Sequence, residues 1–280
     1  MSDLNEIKER LNSAVQTKKI TDAMYTVSVS MLKKLLLAAE NASMTYNAVH
    51  NALNDVLLYG KSSIEALKYC KENEGGVHLF AVIMSDRGLC GSYNNELASF
   101  TVNTIKENDA VFCFGRRGTN MLKAKNIDPE FITKIDTFGP VGETAVMIGE
   151  ILKPLFDNGA ASAISLIYFD YKSSSPKRFD LFPIRPDTSH IAPEKMYFEP
   201  SYDKALDNIV SAYVFSVLQK TVASACASEN AKRMDAMQNA GKNAEEMIAS
   251  LEVKMNILRQ TIITNEITET AAAAENINGC

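Results

Sequence analysis

The sequence has no cysteine pair at metal-ligand spacing and no cluster of histidines. Its five cysteines (Cys70, Cys90, Cys113, Cys226, Cys280) are odd in number and widely spread. That pattern argues against a zinc site or a disulfide framework and for reduced thiols. The histidines, His50, His78 and His190, are equally scattered, so no metal or other cofactor is expected. A basic excess is missing too. Net charge is −5, with lysine and arginine spread along the chain, so nucleic acid is not an expected partner. No uncharged apolar run approaches the roughly 20 residues that cross a bilayer. The opening MSDLNEIKER is charged, carries acidic residues early and has no apolar stretch. Neither a signal peptide nor a transit peptide is expected.

Proline is absent from both ends, and glycine nearly so. All eight prolines lie between Pro129 and Pro200, the first glycine is Gly60, and after Pro200 only Gly241 and Gly279 occur. Two breaker-free ends therefore flank a punctuated middle. In the first, apolar residues recur at Ile7, Leu11 and Val15, then at Met24, Val27, Met31, Leu35, Ala38 and Ala42, and on to Val49, Leu53 and Val56. Steps of three and four are the seam of a coiled coil. One helix over 1–59 would measure roughly 90 Å. The last segment, 201–280, repeats the pattern. Its stripe runs through Leu206, Val210, Tyr213 and Val217, and later through Gly241, Ala244, Ile248, Leu251, Met255, Leu258 and Ile262. Between these lies the small-residue stretch ASACASENAKRMDAMQNAGKNA, which allows close helix approach. The spacing predicts an antiparallel pair of long helices; several shorter helices in a compact bundle are the alternative.

The middle, 75–200, alternates differently. VHLFAVIMS, AVFCFG, ASAISLIYFDY and KRFDLFPI suit buried strands, whereas NNELASFTVNTIKEN and VGETAVMIGEILKPLFDN have helical spacing. Strand–helix–strand alternation predicts an α/β domain with a mostly parallel sheet.

Three loops invite a chemical reading. SDRGLCGSYN (Ser85 to Asn94) sits where a dinucleotide-binding glycine turn would sit, but only Gly88 and Gly91 are present, at GxxG spacing. A structural turn explains it as well. Cys90 as a nucleophile would need His78 or His190 brought to it in space. GPVGET (Gly139 to Thr144) has Glu143 where a phosphate loop needs lysine, and reads as a helix start with Glu143 or Thr144 in the first turn. GRRGTN (Gly115 to Asn120) could attract an anion through Arg116, Arg117 and a helix N-terminus; a solvated turn is the plainer reading. No paired carboxylates at catalytic spacing stand out, so no catalytic residue is assigned.

Three separated segments resemble one family, the γ subunit of the F-type rotary ATP synthase. VQTKKITDAM (Val15 to Met24) is similar to its "KITKAM" signature, and SDRGLCGSYN to "DRGLCGGLN". ASENAKRMDAM (Ala227 to Met237) and RQTIITNEITE (Arg259 to Glu269) resemble "ASEQAARMVAM" and "RQASITQELTE". YFEP (Tyr197 to Pro200) adds a smaller match. The resemblance implies an antiparallel coiled coil of the terminal helices and a Rossmann-like α/β domain. It implies a non-catalytic shaft turning inside a ring of α and β subunits, driven by ion flow through a membrane ring. Expected partners are α, β, ε and the c-ring. The expected location is peripheral, on the cytoplasmic face of a bacterial plasma membrane. Carried over by position, Arg87, Arg259, Gln260, Thr264 and Glu266 would contact β subunits. Met24 and Arg233 would govern coupling within the coiled coil, and Tyr197 and Glu199 would lie near the membrane ring. The chain departs from the family at Asp22, where lysine is usual, at Ser92 and Tyr93, which replace Gly-Leu, and at Asn265. The competing reading is a nucleotide-binding α/β protein with a coiled-coil scaffold role.

Overall fold

The computed structural model describes residues 2–60, 63–135, 139–187 and 195–278. The breaker-free ends are single helices: α1, Ser2–Tyr59, and α6, Tyr202–Asn278. Gly241 is the one glycine inside them. A Cβ there would sit 3.3 Å from Asp22 Oδ1 and 3.5 Å from Thr21 Oγ1, so its absence admits the neighbouring helix. By length and composition part of α6 would suit a membrane span, yet 67% of that window is buried within the protein, as in a core helix.

The chain forms two compact units, residues 1–27 with 234–280, and residues 28–233. In the first, α1 and α6 pair antiparallel. Lys18 Nζ lies 3.0 Å from a Glu245 carboxylate oxygen, and Arg10 and Ala14 share a groove with Leu251 and Lys254. Nearer Tyr25 the facing residues are Met237 and Gln238. Of the part of the α6 stripe in this unit, Gly241 and Ala244 are fully covered, and Ile248, Leu251, Met255, Leu258 and Ile262 are half-buried.

The second unit is built on a five-stranded sheet, in the order β3-β2-β1-β4-β5. The strands are β1 Val77–Ile83, β2 Ala110–Phe114, β3 Glu130–Thr133, β4 Ala161–Asp170 and β5 Ser175–Phe182. All pairings are parallel except β4 with β5. The period-two rule divides β1 between two cores. Leu79, Ala81 and Ile83 join Ile148, Leu152 and Phe156 of α5 (Val141–Asp157) and Val210, Val214 and Leu218 of α6. Phe80, Val82 and Met84 face Tyr93 and Leu97 of α3 (Tyr93–Thr104) and Leu122 of α4 (Arg116–Ala124). A sheet covered on both faces needs continuous apolar strands, which is why VHLFAVIM shows no polar alternation. Within this unit α6 is enclosed on every side: all ten residues from 221 to 230 are buried. Small side chains there let neighbouring elements approach closely.

Two elements are additional to those read from the sequence, β3 and the short helix α2 (Ile64–Cys70), and the helix whose N-terminus was read at GRRGTN is α4. In α2, Tyr69 donates to Asp207 Oδ1 at 3.2 Å, and burial, then the Asp157 charge, push its hydroxyl up to about 12. Burial and Asp170 do the same for Tyr168, to about 12, and burial raises Cys113 to about 11. Each group is held protonated by the fold. For the two tyrosines the stabilisation is complete below the ordinary value of 10.0 and is lost as pH rises toward 12. Alkaline titration is therefore expected to unfold the second unit in one step coincident with tyrosinate absorbance. Ionisation of the buried tyrosines before loss of helical signal would contradict this.

Candidate functional site

The loop after β1 begins at Ser85, which is fully buried. Asn94, in the first turn of α3, clips it. Asn94 Oδ1 accepts from the Ser85 amide at 3.1 Å and its Nδ2 donates to Ser85 Oγ at 2.6 Å. Ser85 Oγ in turn donates to the Arg87 carbonyl at 2.8 Å. Of the two motif glycines, only Gly91 occupies the left-handed region, at φ 56°. A Cβ on Gly88 would meet nothing closer than the Arg117 side chain at 3.7 Å.

Cys90 faces inward at 3% exposure, and burial pushes its thiol up. His78 lies at the far end of β1, where its Nε2 is 2.9 Å from Ser165 Oγ. His190 falls outside the described residues. His78 therefore does not activate Cys90, whose role is packing. Among the described residues no group of His, Cys, Asp and Glu side chains could hold a metal.

GRRGTN meets the loop directly. Arg116 forks onto Asp86, its Nε donating to Oδ1 at 3.1 Å and its Nη2 to Oδ2 at 3.2 Å. Burial raises the Asp86 pKa, but the Arg116 hydrogen bonds and charge outweigh it and bring the carboxyl below its ordinary value. The anion that Arg116 attracts is thus a carboxylate of this chain. GPVGET behaves as its composition suggests, with Glu143 in the first turn of α5.

Beneath the loop, α6 presents a buried ion pair. Glu229 and Arg233, one turn apart, are 2% and 5% exposed and hydrogen-bonded to each other. Arg233 Nη2 also donates to the Gly88 carbonyl at 3.4 Å. Burial raises the Glu229 pKa, opposed by Arg233 and then by the Arg87 charge. Beside this pair, Tyr93 donates to the Ala225 carbonyl at 3.3 Å and stacks on Phe169. Lys232 reaches Glu96 at 3.0 Å. The loop is thus fastened to α6 on two sides while its tip faces out. Arg87 is exposed, and Leu89, 58% exposed, holds a left-handed φ of 64°. A leucine adopts that backbone only at a cost.

The other sequence-derived residues fall elsewhere. Met24 is half-buried in the first unit. Arg259, Gln260, Thr264 and Glu266 are all exposed on α6. Arg259 and Glu266, seven apart, share one face. Gln260 and Thr264 are four apart, and Thr264 Oγ1 donates to the Gln260 carbonyl at 2.9 Å. Tyr197 is 94% exposed and Glu199 is exposed, while Phe198 between them packs on Tyr59 and Tyr202. Of the departures from the resembled family, Tyr93 is the loop's buried aromatic anchor and Asp22 borders Gly241. Glu229, Asp86 and Asn94 were not singled out by sequence. Only the four-residue step from Glu229 to Arg233 was there to be noticed.

Comparison with known proteins follows this geometry. A sequence profile of the ATP synthase family matches residues 3–277. The chain is 32% identical over 283 residues to the ATP synthase gamma chain of Clostridium botulinum, covering 97% of both. It is 33% identical over 288 residues to that of Halothermothrix orenii, covering 98% of this chain and 99% of the relative. Among solved structures, a chain of the Euglena gracilis mitochondrial ATP synthase, solved with its OSCP, F1 and c-ring, aligns with a TM-score of 0.69. That match covers 99% of this chain and 95% of the other at 13% identity. A chain of the Tetrahymena thermophila central stalk and c-ring aligns at 0.58, covering 79% and 99% at 24% identity. These two likenesses concern the fold.

Proposed function

The chain belongs to the ATP synthase family as a gamma chain, and from that premise we propose how its parts serve the role. It is the central rotor of the F-type ATP synthase, a non-catalytic subunit that links ion flow through the membrane ring to chemistry at the catalytic β subunits. Its partners are the α and β subunits, ε and the c-ring. It is peripheral to the membrane, and its bacterial relatives support the cytoplasmic face of a bacterial plasma membrane. The segments 1–59 and 201–280 act as shaft and 75–200 as body.

A rotor does its work by favouring one conformation of each surrounding subunit at a time, so its contacts must be made and released. Exposed polar side chains suit that duty. We assign Arg259, Gln260, Thr264 and Glu266 to β-subunit contact, Met24 and Arg233 to coupling, and Tyr197 and Glu199 to the membrane-ring end. The observation that carries the assignment of the loop is its tip: Arg87 and Leu89 are exposed on a backbone that is clipped, forked and bonded from below. We assign Arg87 to an acidic surface of a β subunit.

Mixed with α and β subunits, the chain is expected to co-purify in a complex of one copy with six. Failure to do so under native conditions would remove the rotor role. Within the assembled enzyme, Arg87→Gln is expected to leave hydrolysis and melting temperature near native. Ions pumped per ATP should fall about threefold or more. An unchanged ratio would strip Arg87 of its assignment.

A further inference from the structure

We infer that Glu229 is a positioning residue, the counter-charge that seats the Arg87–Leu89 tip on α6. The inference rests on the reading of that tip as a rotor contact. Glu229 lies in the stretch of α6 that is buried on every side, where an apolar side chain would cost less than a carboxylate. Packing therefore does not account for it. What it faces does.

Arg233, one turn along, hydrogen-bonds to it and also donates to the Gly88 carbonyl. Arg87, the residue before Gly88, adds a favourable charge to the same carboxylate. Asp86, the other acid nearby, is held by both arms of the Arg116 fork. Glu229 thus has one arginine hydrogen-bonded to it and feels the charge of a second in the tip. One arginine lies in the tip and the other is bonded to it. Cys90 and Tyr93, also close by, stay neutral because burial raises both.

Without the Glu229 charge, the positive charges of Arg87 and Arg233 lose the counter-charge they share. Arg233 then loses the partner that aims it at Gly88, and Leu89 is no longer held in its left-handed backbone. The tip's position on the helix is set by charge rather than by shape. A tip that moves independently of α6 would meet the β subunit without transmitting the helix's rotation.

The test uses the assembled enzyme carrying Glu229→Gln, which keeps an acceptor and removes the charge. Hydrolysis is expected to persist while ions pumped per ATP fall about threefold or more. Amide exchange at residues 87–91 should accelerate with that of β1 unchanged. Glu229→Asp, which restores the charge, should bring the ratio back toward native. Leu152→Ala, a buried core change in α5, loses stability without touching the tip and should leave the ratio intact. Native pumping with slow loop exchange in Glu229→Gln would overturn the inference, as would an equal deficit in Leu152→Ala. If Glu229→Gln does not assemble, loop exchange in the full chain alone decides, unchanged exchange overturning it. Should Arg87→Gln lower the ratio and Glu229→Gln not, this inference fails alone. Should neither lower it, the reading of the tip fails with it.

Discussion

Replacing Arg233 with methionine is expected to cost about 3–5 kcal/mol of folding stability at neutral pH, measured by urea denaturation. The size follows from what is left behind. Glu229, 2% exposed, would keep its burial and lose its hydrogen-bonded partner. An unpaired carboxylate in that place binds a proton more tightly folded than unfolded. Its raised folded pKa makes the deficit smallest below the unfolded value of roughly 4.3. The deficit grows as pH rises through the folded value. Removing both charges in Arg233→Met with Glu229→Leu should restore stability to within about 1 kcal/mol of native, since neither group is then unsatisfied. The double variant should still pump poorly, because the tip has lost its seat. A single variant as stable as native would mean that water reaches Glu229. A double variant that pumps normally would mean that the pair serves stability alone.

The gross architecture was legible because it depends on what is absent. Stretches without proline and with at most one glycine give a helix little reason to stop, and 2–59 and 202–278 are each one helix. The strands with two covered faces were visible as apolar runs. Those missed lack that signature: Glu130–Thr133 is a four-residue edge strand, and α2 is a helix of only seven residues. The α1 seam was only partly readable. Large apolar residues drew the eye to Val27, which is 50% exposed. From Ala14 to Ala42 the buried positions, Ala14, Thr21, Ser28, Leu35 and Ala42, recur every seven residues and are mostly small or polar. Their size permits close packing, but it hides them from a hydrophobicity pattern. The loop was recognisable by motif, but its fastenings were not. Asp86 with Arg116 spans 30 positions, and Arg233 with Gly88 spans 145. Nothing local in a sequence reports such pairs.

The loop's root makes the second large prediction, at a glycine the motif does not include. Gly115 ends β2 at φ 113°, ψ 118°, a conformation that side chains rarely adopt. Its amide donates to the Thr133 carbonyl at 2.9 Å, and its carbonyl accepts from Thr119 Oγ1 at 3.0 Å, so the backbone cannot rotate away freely. A Cβ there would run into the Met84 carbonyl and come within 2.8 Å of Ser85 O, where the loop begins. Backbone atoms in a covered strand do not yield as a flexible side chain would. Gly115→Ala is therefore expected to cost about 3 kcal/mol or more, combining backbone strain with the clash, and to shift Ser85 and the tip beyond it. Gly88→Ala, inside the motif, meets only the flexible Arg117 side chain and should stay within about 1 kcal/mol. Urea denaturation of the two variants measures the contrast directly. If Gly88→Ala is the more damaging, the motif glycine is required by something other than the chain's own fold. A partner passing close to the tip, tested by the same pair of variants in the assembled enzyme, would then be the place to look.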